Sequence, residues 1–191
     1  MVEEMPDIDR SCGQYFTYRD FIECSDSWKR SEVDNVPKQM ATYHAVDRLV
    51  AEVLDPVSEQ FGQVVLTYGF SSAALVKEVS KIPYPNITKS GDQHASCELN
   101  RNDNPICNRL GIAVDFYVAG VSSYEVATWV ICNTDFDRLY YYSDHRPFHV
   151  SVGPEENRSI VFMDGYRGGA HQPRVMKKEK FLTFRGQLGG G

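Results

Sequence analysis

From Met40 onward, apolar side chains recur at three- and four-residue steps: Tyr43, Val46, Leu49, Val50, Val53 and Leu54. The spacing predicts an amphipathic helix that begins in the stretch at Val36-Pro37, where Pro37 suits a first turn, and reaches about Asp55. Pro56 is expected to bend or end it, because a proline inside a helix removes a hydrogen bond and crowds the preceding turn. Before this helix, Tyr18 to Cys24 reads as a short element in an otherwise polar, irregular opening. After it, the β-branched run Gln63-Val64-Val65-Leu66-Thr67, set between Gly62 and Gly69, predicts a strand. Ser71 or Ser72 is placed to cap a helix through Val79, and Ile82 to Gly91, with Pro83, Pro85 and Asn86, is loop by composition. Further strands are predicted at Gly111 to Val118, Arg138 to Tyr142, His149 to Val152 and Ile160 to Met163. Ser122 or Ser123 caps a helix through Cys132. Helices early and closely spaced strands later imply an α+β fold, a single domain with a mainly antiparallel sheet flanked by helices.

Length and charge narrow this picture. With 191 residues, 42% of them hydrophobic, the chain can bury one sizeable core. The expected division is an N-terminal extension over 1–35, the domain over 36–185 and a flexible tail over 186–191. A net charge of -6 provides no basic field to gather phosphates, so nucleic acid is not indicated as a partner. No run approaches the roughly 18 apolar residues of a membrane span, so no membrane association is expected. The opening MVEEMPDIDR is acidic where a secretory leader is basic and then apolar, and a cytoplasmic location is expected. Cys12, Cys24, Cys97, Cys107 and Cys132 are odd in number and irregular in spacing, which fits reduced thiols better than a disulfide framework. The basic run Arg174, Lys177, Lys178 and Lys180 reads as one solvated helix face.

Three residues carry the candidate chemistry. Asp115 stands in Gly111-Ile112-Ala113-Val114-Asp115-Phe116-Tyr117, a carboxylate among apolar residues, where an unpaired charge is expensive. His149 stands likewise in Phe148-His149-Val150-Ser151-Val152, on a strand that could lie beside the first. His94 ends the polar loop Lys89-Ser90-Gly91-Asp92-Gln93-His94, free to fold back over the sheet. Taken singly, a strand histidine is usually a hydrogen-bonded core residue and a lone aspartate a cap or salt-bridge partner. Taken together, two His and one Asp are a donor set for catalytic zinc, which takes three protein ligands and leaves a fourth position for water.

In this order the three resemble the metallopeptidase family of D-Ala-D-Ala carboxypeptidases, vancomycin-resistance dipeptidases and phage endolysins. That family has a His, then a Gly-x-Ala-x-Asp strand, then a distal His after an aromatic strand. Gln93-His94 and Gly111-Ile112-Ala113-Val114-Asp115 match the first two elements. Upstream, Leu54-Asp55-Pro56-Val57 and Phe61 to Phe70 resemble the family's helix, strand and Ser-Gly-Tyr-Arg-Ser turn. The ending Leu139-Tyr140-Tyr141-Tyr142-Ser143 with Phe148-His149-Val150-Ser151 resembles the Hedgehog signalling domain, which shares the fold and the zinc ligands. The resemblance covers residues 36 to 163 and implies one zinc ion (Zn) on His94, Asp115 and His149.

The chain departs from that pattern in three places. Residues 95–110 intervene between His94 and Gly111 where the family has only a few, a loop insertion that costs little entropy. Cys97 and Cys107, near its ends, could close it by a disulfide, hold a second metal or remain reduced thiols. The family's turn arginine aligns with Ser71, and its general-base glutamate, three residues before the last His, aligns with Arg146. Asp144 and His145 are the nearest proton acceptors, in a Ser143-Asp144-His145-Arg146-Pro147 segment that equally reads as an ordinary hairpin turn. Arg146 could grip a carboxylate or phosphate of a substrate, or be solvated. One of the tyrosines at 140 to 142 could line the pocket.

The resemblance therefore implies a zinc-dependent peptidase or amidase acting through a metal-bound water, on a peptide or peptidoglycan-like substrate, with Asp144 or His145 shuttling the proton. Two alternatives stay open: a catalytically altered, zinc-stabilised binding or signalling protein of the same fold, and a zinc hydrolase of a non-peptide substrate.

Overall fold

The positions that set the helical period, Tyr43, Val46, Leu49, Val50, Val53 and Leu54, are all buried in the computed structural model. The structure describes residues 4–82, 92–167 and 170–184, with backbone alone for 164–167 and 170–172. The loop expected from Ile82 to Gly91 lies outside the described residues apart from Ile82, as does the tail 186–191.

Three short segments build the first helices: α1 (Tyr18–Glu23), α2 (Asp26–Ser31) and α3 (Met40–Leu49). The sequence pattern gave no sign of α2, whose six residues span too few turns to show a period; Ser25 caps it by accepting from the Trp28 amide. Helix α3 begins at Met40, so Pro37 stands ahead of it rather than in its first turn. Its N-cap residue Gln39 makes no side-chain capping bond. Glu98, from the 95–110 insertion, accepts instead from the amides of Lys38 and Gln39 and from Thr42 Oγ1. An acid borrowed from elsewhere thus satisfies the exposed donors at the helix start.

Pro56 does not end the long helix. A wide π turn, Val50–Leu54, leads into α4 (Asp55–Phe61), and the Asp55 amide reaches back to the Val50 carbonyl. The wider turn displaces the carbonyls that a proline ring would otherwise strike, so the chain passes Pro56 still helical. Val53, Leu54 and Val57 stay buried through the change.

The remaining elements are β1 (Val64–Tyr68), α5 (Ala73–Ser80), β2 (Ile112–Val118), α6 (Ser123–Asn133), β3 (Arg138–Tyr141), β4 (Phe148–Val152), β5 (Ser159–Arg167), β6 (Ala170–Met176) and α7 (Lys178–Leu182). Ser72 and Ser122 are the caps of α5 and α6. The six strands form one mixed sheet in the order β1-β2-β4-β3-β5-β6. All neighbours are antiparallel except β3 and β5, which run parallel. The molecule is thus a single α+β domain. Strand β6 divides the basic run: Arg174 lies in the sheet with its guanidinium over the Phe162 ring, Lys177 caps α7, and only Lys178 and Lys180 are helical.

Strand alternation separates the two sides of the sheet. Ile112, Val114, Phe116, Leu139, Tyr141, Phe148, Val150 and Val152 join the helices in one hydrophobic core. Each large aliphatic side chain so enclosed contributes about 1.5–3 kcal/mol relative to exposure. The segment before residue 36 is built into the same core through Phe16, Tyr18, Phe21 and Ile22. Among the described residues no helix is long and apolar enough to cross a membrane.

Candidate metal centre

Register places the site. Asp115 on β2 lies opposite His149 on β4, and His149 lies opposite Tyr140 on β3. On the other flank Asp115 pairs with Tyr68 of β1, across an irregularity that shifts the β1 register by one residue. A row of Tyr68, Asp115, His149 and Tyr140 therefore crosses four strands on the face turned away from the core. Gly111 makes the start of β2 possible: its φ is +67°, and a Cβ there would strike the Val152 carbonyl.

His94 reaches this row from a single turn of 3-10 helix, Gln93–Ala95. Asp92 caps that turn by accepting from the His94 amide at 3.0 Å. The Ser71 amide donates to the His94 carbonyl at 2.9 Å, and His94 Nδ1 lies 2.8 Å from the Gly69 carbonyl. A carbonyl can only accept, so Nδ1 carries the proton and Nε2 is the nitrogen turned to Asp115. Gly69 in turn has no room for a side chain, because a Cβ would meet the Phe21 carbonyl of α1.

Three potential ligand atoms converge. His149 Nδ1 stands 2.9 Å and His94 Nε2 3.4 Å from Asp115 Oδ1, and one donor atom from each residue falls within 4.8 Å of the others. Two ligands held at about 2.0–2.1 Å on a tetrahedral ion are separated by roughly 3.3 Å, so the spacing suits one small cation. Both histidines are buried, while 22% of the Asp115 side chain remains exposed, leaving the cluster open to solvent on one side. The group can hold a metal ion, and it is the only such group among the described residues.

The electrostatics express the same closeness. Burial would raise the Asp115 carboxyl, but the charge of His94 and hydrogen bonds from His149 and His94 hold it well below the usual carboxylate range. Burial acts against a charged His94, yet the carboxylates of Asp115 and Asp92 push it up to about 9. Without a cation, the cluster is a buried ion pair; a metal ion would take the place of the protons on His94 Nε2 and His149 Nδ1 that face Asp115. Aromatic rings pack around it, with Tyr140 stacked on His149 at 4.8 Å and Tyr68 edge-on to His94 at 4.6 Å. The Tyr68 hydroxyl is bonded to Ser71 Oγ, so the residue aligned with the family's arginine is a buried support of this wall.

The other expected residues lie around the centre differently. Asp144 Oδ1 accepts from Ser122 Oγ at 2.8 Å, Tyr141 Oη at 3.0 Å and the Tyr124 amide at 3.1 Å. Burial tends to raise this carboxyl, but those donors hold it below its ordinary value. Asp144 and His145 line a cleft of about 470 Å³ with Tyr117 and Ser122, whose walls include none of the three ligand residues. Arg146 lies over the Tyr142 ring at 5.4 Å, and the Tyr142 phenol is raised by burial and by the nearby charge of Asp115. Tyr142 thus lies within reach of the charge of Asp115, with Arg146 over its ring.

Two neighbours of the centre went unread in the sequence. Asp92 is the second carboxylate whose charge is felt at His94, Tyr68 and Tyr142. Arg109, from the inserted loop, places Nη1 3.4 Å from the hydroxyl of Tyr140, the ring stacked on His149. The Asp92-Gln93-His94 adjacency was a signal for the first, since an aspartate two residues before a ligand can cap its turn. Nothing local marks Arg109. All five cysteines are free thiols, Cys97 and Cys107 included. Burial and the charge of Asp115 push the Cys24 thiol up to about 12.

Compared with known proteins, the chain matches no family model, and no curated sequence or solved structure matches it significantly. The resemblance named above thus rests on the motif residues alone.

Proposed function

We propose that the chain is a zinc-dependent hydrolase, a peptidase or amidase of the D-Ala-D-Ala carboxypeptidase type with the kindred fold. The observation that carries this reading is the convergence of His94 Nε2, Asp115 Oδ1 and His149 Nδ1, with His94 Nδ1 committed to the Gly69 carbonyl. Such an outer hydrogen bond fixes the tautomer of a metal-binding imidazole and is the usual companion of one. Zinc, when bound, would supply Lewis acidity toward a carbonyl and acidify water.

The chain's own groups supply the rest. Asp92 accepts from the His94 amide through Oδ1 and adds a second negative charge near the centre. Asp144 is a poor proton acceptor, because three donors already occupy Oδ1 and hold its carboxyl below the ordinary value. Arg146 beside Tyr142 and Arg109 beside Tyr140 offer guanidinium groups to a carboxylate or phosphate of the substrate. Tyr140 and Tyr68 limit the freedom of the two imidazoles.

A specific observation favours the second reading, a zinc-stabilised binding protein. The family's arginine and glutamate positions are held here by a buried Ser71 and by Arg146, and the carboxylate nearest in sequence serves the α6 N-terminus. Metal analysis and turnover separate the two. Purified protein is expected to bind about one zinc per chain and to hydrolyse D-Ala-D-Ala peptides, with activity lost on chelation and restored by zinc. Inability to bind zinc overturns both readings; stoichiometric zinc without turnover on D-Ala-D-Ala or library peptides selects the binding protein.

A further inference from the structure

The Gln93 side chain is almost wholly enclosed, with the residue 1% exposed, and the chemistry above makes no use of it. Its Nε2 donates to the Leu110 carbonyl at 3.2 Å and to Asp137 Oδ2 at 3.0 Å, while Oε1 accepts from Ser151 Oγ at 2.9 Å. Carbonyl and carboxylate oxygens accept only, so the amide has one orientation that satisfies all three partners. Those partners belong to three separate parts of the chain: the end of the 95–110 loop, the residue before β3, and β4.

The partners are themselves fixed. Asp137 is buried, and its Oδ1 accepts from the Asn157 amide and Asn157 Nδ2, each at 3.0 Å. The Asp137 amide donates to the Ser151 carbonyl at 2.7 Å, and its carbonyl accepts from the Ser159 amide at 2.8 Å. Ser151 is fully buried and follows His149 by two residues in β4, hence on the same face. Asp115 and His149 are set against each other by the β2–β4 ladder, but no ladder holds His94. The bonds to Gly69 and Ser71 tie His94 only to the β1 side.

We infer that Gln93 is a positioning residue for the centre: its amide pins the turn bearing His94 to the strand bearing His149 and so sets the span between the two imidazoles. This rests on the metal reading above. The link acts through distance alone; Gln93 touches neither metal nor substrate. Leucine at this position keeps the bulk but leaves Asp137 Oδ2 and Ser151 Oγ without this partner, freeing the turn on the β4 side.

The test is chelator-competition titration of the full chain with Zn²⁺, paired with the visible absorption spectrum of the Co²⁺-loaded protein. Gln93→Leu is expected to weaken zinc binding by roughly 10–100-fold, as loss of an outer partner does, and to change the cobalt band shape. Ser151→Ala, which removes one arm, changes both in the same direction by less and serves should Gln93→Leu fail to fold. Thr42→Val, which loses the distant bond to Glu98, lowers the melting temperature without altering affinity or spectrum. Wild-type affinity and spectrum in folded Gln93→Leu and Ser151→Ala, or equal losses in Thr42→Val, overturn the positioning role alone. A wild-type chain that binds neither ion overturns the metal reading, and this inference with it.

Discussion

Two polar turns beside the sheet carry similar side chains and have opposite fates. The turn at Asp92–Ala95 points its imidazole at another strand's carboxylate, and its aspartate caps the turn itself. The turn at Ser143–Pro147 spends its aspartate on the start of α6, where two hydroxyls and an amide converge on one oxygen. A carboxylate is available for chemistry when few donors claim it, and the two turns differ in that respect more than in composition.

The widest separation between the turns is expected in metal content. His94→Ala and His149→Ala should each abolish zinc retention by metal analysis of desalted protein, a loss of at least about 100-fold in affinity. Asp144→Asn should keep its full complement; loss of zinc there would erase the contrast. Removing the metal should come next in size. A ligand at 100 times its dissociation constant stabilises by about 2.7 kcal/mol, so chelation should lower the melting temperature by several degrees.

Acidity sharpens the same comparison in metal-free protein. His94 is raised from 6.5 to about 9, so its contribution is complete below pH 6.5 and lost as pH rises through 9. Asp115 is lowered from 3.8, so its contribution is present above that value and lost as pH falls further. Thermal melts of chelated protein should therefore be most stable between about pH 4 and 6.5, and zinc should remove the alkaline decline. A flat profile from pH 6 to 10 without metal would show that the ion pair does not form.

Asp144→Ala should cost about 1–3 kcal/mol by stranding the Tyr141 hydroxyl and the Tyr124 amide, read as a shift in denaturant midpoint. Turnover per folded molecule should remain within a few-fold; its abolition with zinc retained would return Asp144 to the chemistry. The smallest effect is expected from Glu98→Gln, about 0.5–1 kcal/mol from the weakened charge at the start of α3, with no change in zinc affinity.

Two of the three candidate ligands stood out by their surroundings, while His94, in a polar loop, was read through the order it makes with them. Asp115 and His149 interrupt apolar runs, and a polar residue amid a strand's hydrophobic neighbours announces itself without knowledge of the fold. The β2 and β4 strands, and the caps Ser72 and Ser122, were readable for the same reason. Glu98, Gln93 and Arg109 were not, since each acts on a residue more than ten positions away and the pairing depends on the path of a loop. Of the two outcomes expected at Pro56, a bend or an end, the end does not occur, because the turn before the proline is widened. Strand β6 was hidden by its lysine and arginine neighbours, which read as a helix face.

The close approach of Gly69 to the Phe21 backbone makes the opening of the chain a foundation stone of the wall behind His94. The Phe70 amide bonds to the Phe21 carbonyl, and Asn35 joins Ile22, Phe70 and Ser72 with one amide group. A truncated form beginning at Val36 would therefore lose the surface against which the Gly69 carbonyl is braced. Trimming from the front should loosen one imidazole before it melts the sheet.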